Sequence, residues 1–335
     1  MTSSSPTRIA LVLGATGGFG GHTAQALIKR GWTVRALARD PAAAAAKAGP
    51  RTAIDWIAGD ALTEDDVRRA ASGADLIVHA VNPPGYRNWR GLAVPMLANT
   101  IAAAKATGAR ILFPGNVYNF APDSGAAIPE TAPQHPATRK GAIRVEMEGM
   151  LRAAAAEGVK SVVLRAGDFF GPGATHGGSI GWQTTRKKGR LTGIRAPGPL
   201  DRGYALAYLP DLGEAAARLA EADSAFTGFE TFHFRGHWLD RYEDLIAALR
   251  QASGRPDLPA GRFPWALIAA LSPFNETFRE LFEMRYLWAS SIGLSGDRLA
   301  SVIGPEPHTP LDRALGATLA DFEAAEGESR QAAHA

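Results

Sequence analysis

The chain of 335 residues has no cysteine. Disulfides, thiolate nucleophiles and thiolate-held metals are therefore excluded together. An excess of one charge is lacking too: 36 Lys and Arg stand against 33 Asp and Glu, a formal net charge of +3. So small a cationic surplus leaves no electrostatic footprint for nucleic acid, and no nucleic-acid partner is expected. Long apolar runs are also missing. Nothing approaches the ~18 consecutive apolar residues of a membrane helix; the longest candidate, 265–271, lies between prolines. Met1 to Thr7 is Ser/Thr-rich, without a basic segment before an apolar run, and does not read as a secretion signal. The expectation is a cytoplasmic protein with no membrane partner. With 46% hydrophobic and 21% charged residues, the composition is that of a globular chain, of a length that suits one large domain or two unequal ones.

The first half alternates short apolar, β-branched runs with longer helical patterns. Strands are expected at 9–13, 33–37, 54–58, 76–80, 110–113 and 161–164, and helices at 21–29, 64–71, 92–107 and 140–157. Thr63 followed by Glu64, Asp65 and Asp66 is a helix start, with carboxylates at the positive end of the dipole. Strands alternating with helices predict an α/β fold with a doubly wound parallel sheet. Residues 171–203 are rich in Gly and Pro and carry a basic run, 186–190, that reads as a solvated turn. A helix at 211–221 and a strand at 230–234 return to the sheet. Helices then follow at 242–252, 264–271, 276–288 and 311–323.

The strongest motif is Gly14-Ala-Thr16-Gly17-Gly18-Phe19-Gly20, directly after the first strand and opening the first helix. Unpaired N–H groups and a partial positive charge at a helix start can hold a pyrophosphate. Glycines allow the tight turn and the close approach of backbone to phosphate. Gly14, Thr16, Gly17, Gly18, Phe19 and Gly20 are therefore candidate cofactor residues. A structureless glycine turn is the plain alternative, and the strand–loop–helix context argues against it.

The Gly-x-x-Gly-x-x-Gly spacing resembles the loop of the short-chain dehydrogenase/reductase superfamily, in its extended or atypical branch. Further landmarks follow in the family's order over residues 8–235. Gly59-Asp60-Ala61 follows the third strand, where the family's acidic residue contacts adenine. His79-Ala80-Val81-Asn82 ends the fourth, and Asn99 lies on the next helix. Asn116-Val117-Tyr118 follows the fifth, Glu130-Thr131 lies in the next loop, and 165–172 ends the sixth; 209–211 then resembles the family's return to the sheet. The resemblance implies a Rossmann-type domain, 1–172 plus 203–236, with a smaller, mostly helical substrate lobe, 173–202 plus 237–326, and a frayed tail at 327–335. It also implies a nicotinamide cofactor, held in addition by Asp60, Ala61, Ala80, Val81 and Asn82, and a homodimer.

In NAD-preferring relatives an acid ends the second strand. Here that place falls to Ala38, with Arg39 next and Asp40 after it. An arginine fork suits a 2′-phosphate, so NADP is favoured, with NAD the alternative should Asp40 serve the ribose. Arg35 points to the other strand face or to its far end.

The family's reactive pair is a tyrosine and a lysine four residues later, on one helix face. None of the lysines, at 29, 47, 105, 140, 160, 187 and 188, follows a tyrosine at that spacing. The aligned segment carries Lys140 and Arg144 instead, and Pro114 stands where a serine or threonine is expected. Two cations one turn apart disfavour each other's charge, and only lysine can give way. Lys140 is thus a candidate proton donor or acceptor. The pair could equally anchor an anion or the cofactor, or be surface cations paired with Glu146 or Glu148. Tyr118 is a second candidate hydroxyl, usually structural in relatives. Tyr86, after the fourth strand, is expected to wall the pocket with Asn116. Asp168, as a base or a capping residue, and Arg195 and Arg202, flanking Pro197 to Pro199, complete the candidate substrate contacts. The histidines lack metal-ligand spacing, and His79 reads as packing near the cofactor. The aromatic run 282–288 reads as core or lid packing.

The expected activity is that of an NADP-dependent oxidoreductase or epimerase-like enzyme on a small carbonyl or sugar-like substrate. The rivals are a catalytically silent cofactor sensor and a non-redox dehydratase or isomerase.

Overall fold

A computed structural model describes residues 7–49, 53–83, 88–174 and 178–334. The sheet-forming half runs β1 (Ile9–Leu13), α1 (Gly18–Lys29), β2 (Thr33–Ala38), α2 (Pro41–Ala48), β3 (Ile54–Ala58), α3 (Glu64–Ala70), β4 (Leu76–His79), α4 (Trp89–Thr107), β5 (Arg110–Asn116), α5 (Arg139–Ala155) and β6 (Ser161–Ala166). The chain leaves the sheet through β7 (Asp168–Phe170), α6 (Gly178–Trp182) and the hairpin of β8 (Thr184–Lys187) with β9 (Arg190–Ala196). It returns by β10 (Tyr204–Tyr208), α7 (Leu209–Glu221) and β11 (Phe229–His233). The remainder is β12 (His237–Leu239), α8 (Tyr242–Ala252), β13 (Ala260–Arg262), α9 (Trp265–Leu271), α10 (Glu276–Met284), α11 (Tyr286–Ala289), α12 (Asp297–Ile303) and α13 (Leu311–His334).

The main sheet has seven parallel strands in the order β11-β6-β5-β4-β1-β2-β3. This is the expected doubly wound α/β architecture, and its direction reverses between β1 and β4. A crevice opens at such a switch point beyond the strands' carboxyl ends. Val78, Leu112 and Val162 pack on one sheet face and Ile77, Ile111 and Val163 on the other, which is why these strands are apolar throughout. Two three-stranded sheets, β12-β10-β7 and β13-β9-β8, build beside it. A third cluster joins Phe170, Tyr204 and Tyr208 to Leu245, Trp288 and Leu315, binding α8, α11 and α13 together.

Several elements differ from the expectations. β5 runs through Pro114 to Asn116, because Pro114 still pairs with Leu164. α4 begins three residues early, at Trp89, after Asn88 turns through φ 46°. The single helix expected at 276–288 is two, α10 and α11, separated at Arg285. The basic turn belongs to the β8–β9 hairpin, with Arg186 over the Phe322 ring at 4.1 Å. α12 packs against the main sheet's core through Leu299, Val302 and Ile303 rather than into the outer lobe. α13 continues to His334, where a frayed end was expected. No helix among the described residues is long and apolar enough to cross a membrane.

Candidate active site

β1 ends at Leu13, and Gly14 turns the chain at φ +90°. A Cβ there would lie 2.6 Å from the Ala80 carbonyl oxygen, and one on Gly20 would strike the Gly14 carbonyl. Loop, helix start and the end of β4 are thus in backbone contact, which only glycine permits. Gly17 donates to Gly14 O at 3.0 Å and Gly21 to Gly17 O at 2.8 Å. α1 has Gly17 at its N-cap and no acid in its first turn, so no carboxylate of its own competes at its positive end. Thr16 is half-buried beside it, and Phe19 is buried.

At the far end of the crevice Ala38 closes β2. Arg39 is exposed and has no hydrogen-bond or ionic partner among the described residues. Asp40 is occupied: its side chain accepts from Ala43 N at 3.0 Å and caps α2. Arg35 turns away, donating to Ser72 O at 2.7 Å. Asp60 accepts from Leu62 N at 3.0 Å, its own N–H is held by Asp66 at 2.9 Å, and Asn99 donates to Ala61 O at 2.9 Å. Half-buried Val81 and exposed Asn82 follow Ala80 at the end of β4. His79 is buried, with Nδ1 2.7 Å from Thr100 Oγ1, and burial pulls its pKa down to about 3.

On the other side of the switch point, Asn116 Oδ1 accepts from Tyr118 N at 3.0 Å. Half-buried Tyr118 sits in the middle of a short 3-10 turn, Val117–Asn119. Thr138 caps α5 by accepting from Gly141 N at 3.0 Å, so Lys140 and Arg144 lie one turn apart on a face that meets Trp89. The Lys140 ammonium is 5.1 Å and the Arg144 guanidinium 5.0 Å from the Trp89 ring centre. Arg144 also lies 5.2 Å from the Phe113 ring centre and donates to Pro114 O at 3.2 Å. Glu146 pairs with Arg90 and Glu148 with Arg165, so neither is the neighbour that the surface reading required.

Lys140 is 1% exposed. Its Nζ lies 2.7 Å from Glu280 Oε2 on α10, and Arg139 bonds the other Glu280 oxygen at 3.0 Å. Its pKa is lowered as expected, but the leading cause is burial, opposed by the Glu280 bond. The expected cause, repulsion by Arg144, is corrected on that point. Arg144's charge is felt at His79, whose pKa it helps to lower. A cavity of about 330 Å³ is lined by Trp89, Arg139, Lys140, Glu276 and Glu280 among others.

Asp168, opening β7, is half-buried and accepts from Tyr204 OH at 2.6 Å and Trp288 Nε1 at 2.9 Å. Arg195 is exposed on β9, and Arg202 is exposed and 4.0 Å from Asp201. Neither lines the cavities at Lys140 or Asp168. Tyr86 lies outside the described residues. Glu280, Tyr204, Gln183 and Trp288 escaped the sequence reading. Only Trp288 carried a signal, as part of an aromatic run assigned to packing.

Residues 14–131 match a family described as NAD(P)H-binding. The solved structure of UDP-glucose 4-epimerase from Bifidobacterium longum, in complex with NAD+ and UDP, superposes with a TM-score of 0.75 at 15% identity, covering 95% of this chain and 98% of that one. The chain has the fold of this solved epimerase. The Thermotoga maritima UDP-glucose 4-epimerase with UDP-glucose gives 0.74 at 18% identity, covering 95% and 99%. The Bordetella bronchiseptica enzyme WbmH with NAD+ gives 0.70 at 20%, covering 94% and 98%. No curated protein matches by sequence. The residues present fit a dinucleotide's diphosphate, because α1 opens on Gly17 with no acid in its first turn.

Proposed function

We propose that this protein is a cytoplasmic, NADP-dependent oxidoreductase or epimerase-like enzyme that acts on a small carbonyl or sugar-like substrate. The observation that carries the reading is the glycine cradle at one end of the crevice with the unpaired Arg39 at the other. Gly14 to Gly20 would hold the diphosphate on backbone N–H groups, and Arg39 would take the 2′-phosphate, since Asp40 is committed to α2. Asp60, Ala61, Ala80, Val81 and Asn82 would line the path between. A bound nicotinamide supplies or accepts two electrons with a hydrogen at a substrate carbon.

The chain's own part is then position and protons. Lys140 is the first proton group: burial lowers its pKa from the ordinary lysine range, and Glu280 holds Nζ in place. Arg144, stacked on two rings, is a fixed charge suited to an oxygen of the cofactor or substrate. Asn116 and Tyr118 would border the nicotinamide, and a second copy of the chain would complete a homodimer.

Calorimetry tests the reading. NADPH should bind more tightly than NADH, and Arg39→Ala should weaken NADPH about 10- to 100-fold while sparing NADH. Equal losses would contradict the assignment. Lys140→Ala should depress turnover of a carbonyl panel and alter its pH profile. An unchanged profile would remove Lys140 from the mechanism. The closed Lys140–Glu280 contact favours a second reading, a cofactor-binding sensor. NADPH binding without turnover of any aldehyde, ketone, enone or sugar nucleotide would select it.

A further inference from the structure

Beyond β6 the chain passes Gly167, where a Cβ would meet Ala205 O at 2.6 Å, and enters β7 beside β10, with Asp168 opposite Leu206. The next residue, Phe169, stacks on Phe19 of the phosphate loop with ring centres 6.4 Å apart. Asp168, its neighbour in β7, projects from the opposite face of the strand. With Val117, which follows the last residue of β5, and with Leu287, it lines a cavity of about 10 Å³, room for one oxygen-sized group.

The hydrogen bonds around this carboxyl have a fixed direction. Tyr242 OH donates to Gln183 Oε1 at 2.6 Å, which turns the Gln183 amide nitrogen toward Tyr204 OH, also at 2.6 Å. With its oxygen already accepting, Tyr204 sends its single hydrogen to Asp168 Oδ2, where Trp288 Nε1 arrives as well. Two donors are spent on one oxygen. Oδ1 has no partner among the described residues. That oxygen keeps accessible surface and is open to a group arriving from outside.

We infer that Asp168 is a second acid–base group of the site, its Oδ1 meeting the substrate oxygen while Tyr204 and Trp288 position it through Oδ2. The inference rests on the reading of the crevice as a nicotinamide-dependent active site. In the reducing direction the proton leaves Oδ1 for the substrate oxygen as the C=O electron pair moves onto that oxygen. The carbon receives its hydrogen and two electrons from the reduced nicotinamide, and solvent reprotonates the carboxylate. Burial raises the Asp168 pKa and leads over the two donors, which lower it. The acid thus keeps its proton above the ordinary carboxylate range. A carboxyl whose pKa is raised, beside an oxygen-sized space, favours an aldehyde, ketone or hydroxyl oxygen over a carboxylate or phosphate.

The test uses the full chain with NADPH. The infrared difference between wild type and Asp168→Asn should contain the carbonyl stretch of a protonated carboxylic acid at pH values above the ordinary carboxylate range. Tyr204→Phe and Trp288→Phe, each removing a donor that favours the carboxylate, should carry that band to still higher pH. With a panel of small aldehydes and ketones, Asp168→Asn should lose about 100-fold or more in kcat while NADPH binds as before. The basic limb of the pH profile should move up in Tyr204→Phe. Absence of the band, or an Asp168→Asn enzyme with wild-type kcat and pH profile, overturns the inference. Failure of the wild type to bind NADPH overturns the functional reading instead, and the infrared arm, read on the same protein without nucleotide, still decides the protonation of Asp168.

Discussion

Lys140 and Glu280 stand 140 positions apart in the chain, and their side chains meet at 2.7 Å. The contact joins α5 of the main sheet to α10 of the outer lobe. Glu276 and Glu283 extend it: Glu276 accepts from Asn88 N at 2.9 Å and Glu283 from Arg139 N at 3.0 Å. One acidic face of α10 thus lies over the first turns of α4 and α5, where negative charge is favoured.

Removing one member of this buried pair should cost more than removing both. Glu280→Ala strands the Lys140 ammonium and should destabilise by about 3–5 kcal/mol, whereas Lys140→Met with Glu280→Leu should recover most of that loss. Urea midpoints at constant slope are the measurement. Equal stability of the single and double variants would show that the pair contributes no coupling.

In the phosphate loop, Gly20→Ala should abolish NADPH binding and destabilise by about 1–3 kcal/mol, because its Cβ meets the Gly14 carbonyl. Gly31 at φ +83° has open space for a Cβ. Gly31→Ala should cost about 1 kcal/mol through backbone strain and leave binding intact. Calorimetry on both variants separates the cradle from general loss of stability.

Asp40→Ala should cost about 1 kcal/mol by uncapping α2 and leave the preference for NADPH over NADH unchanged. A shift in that preference, measured by titration with each nucleotide, would mean that Asp40 reads the ribose.

Acid should unfold the protein from an unusually high pH. Burial lowers His79 and His233 to about 3 and His237 to about 4 from 6.5. The unfolded chain therefore binds these protons first. Their contribution is complete above pH 6.5 and is lost as pH falls toward the folded values. Carboxylates such as Glu214, lowered by its bond to Arg30, add to the loss only below their ordinary 4.5. His79→Gln should flatten the slope in the upper part of the window. A slope equal to wild type in urea titrations at stepped pH would refute this account.

The order of strands and helices, the glycine loop between the first strand and helix and the shared face of Lys140 and Arg144 were all legible in the amino-acid sequence. Each depends on residues within a few turns of one another, where spacing and side-chain type set geometry directly. The break at Arg285 and the passage of β5 through Pro114 were not legible, because neighbouring elements decide where those segments end. The same holds for the chemistry of the site. Glu280 reaches Lys140, and Trp288 and Tyr204 reach Asp168, only once the outer lobe has packed on the sheet. It is the burial created there, rather than the local charge pattern, that leads the pKa shift of both groups.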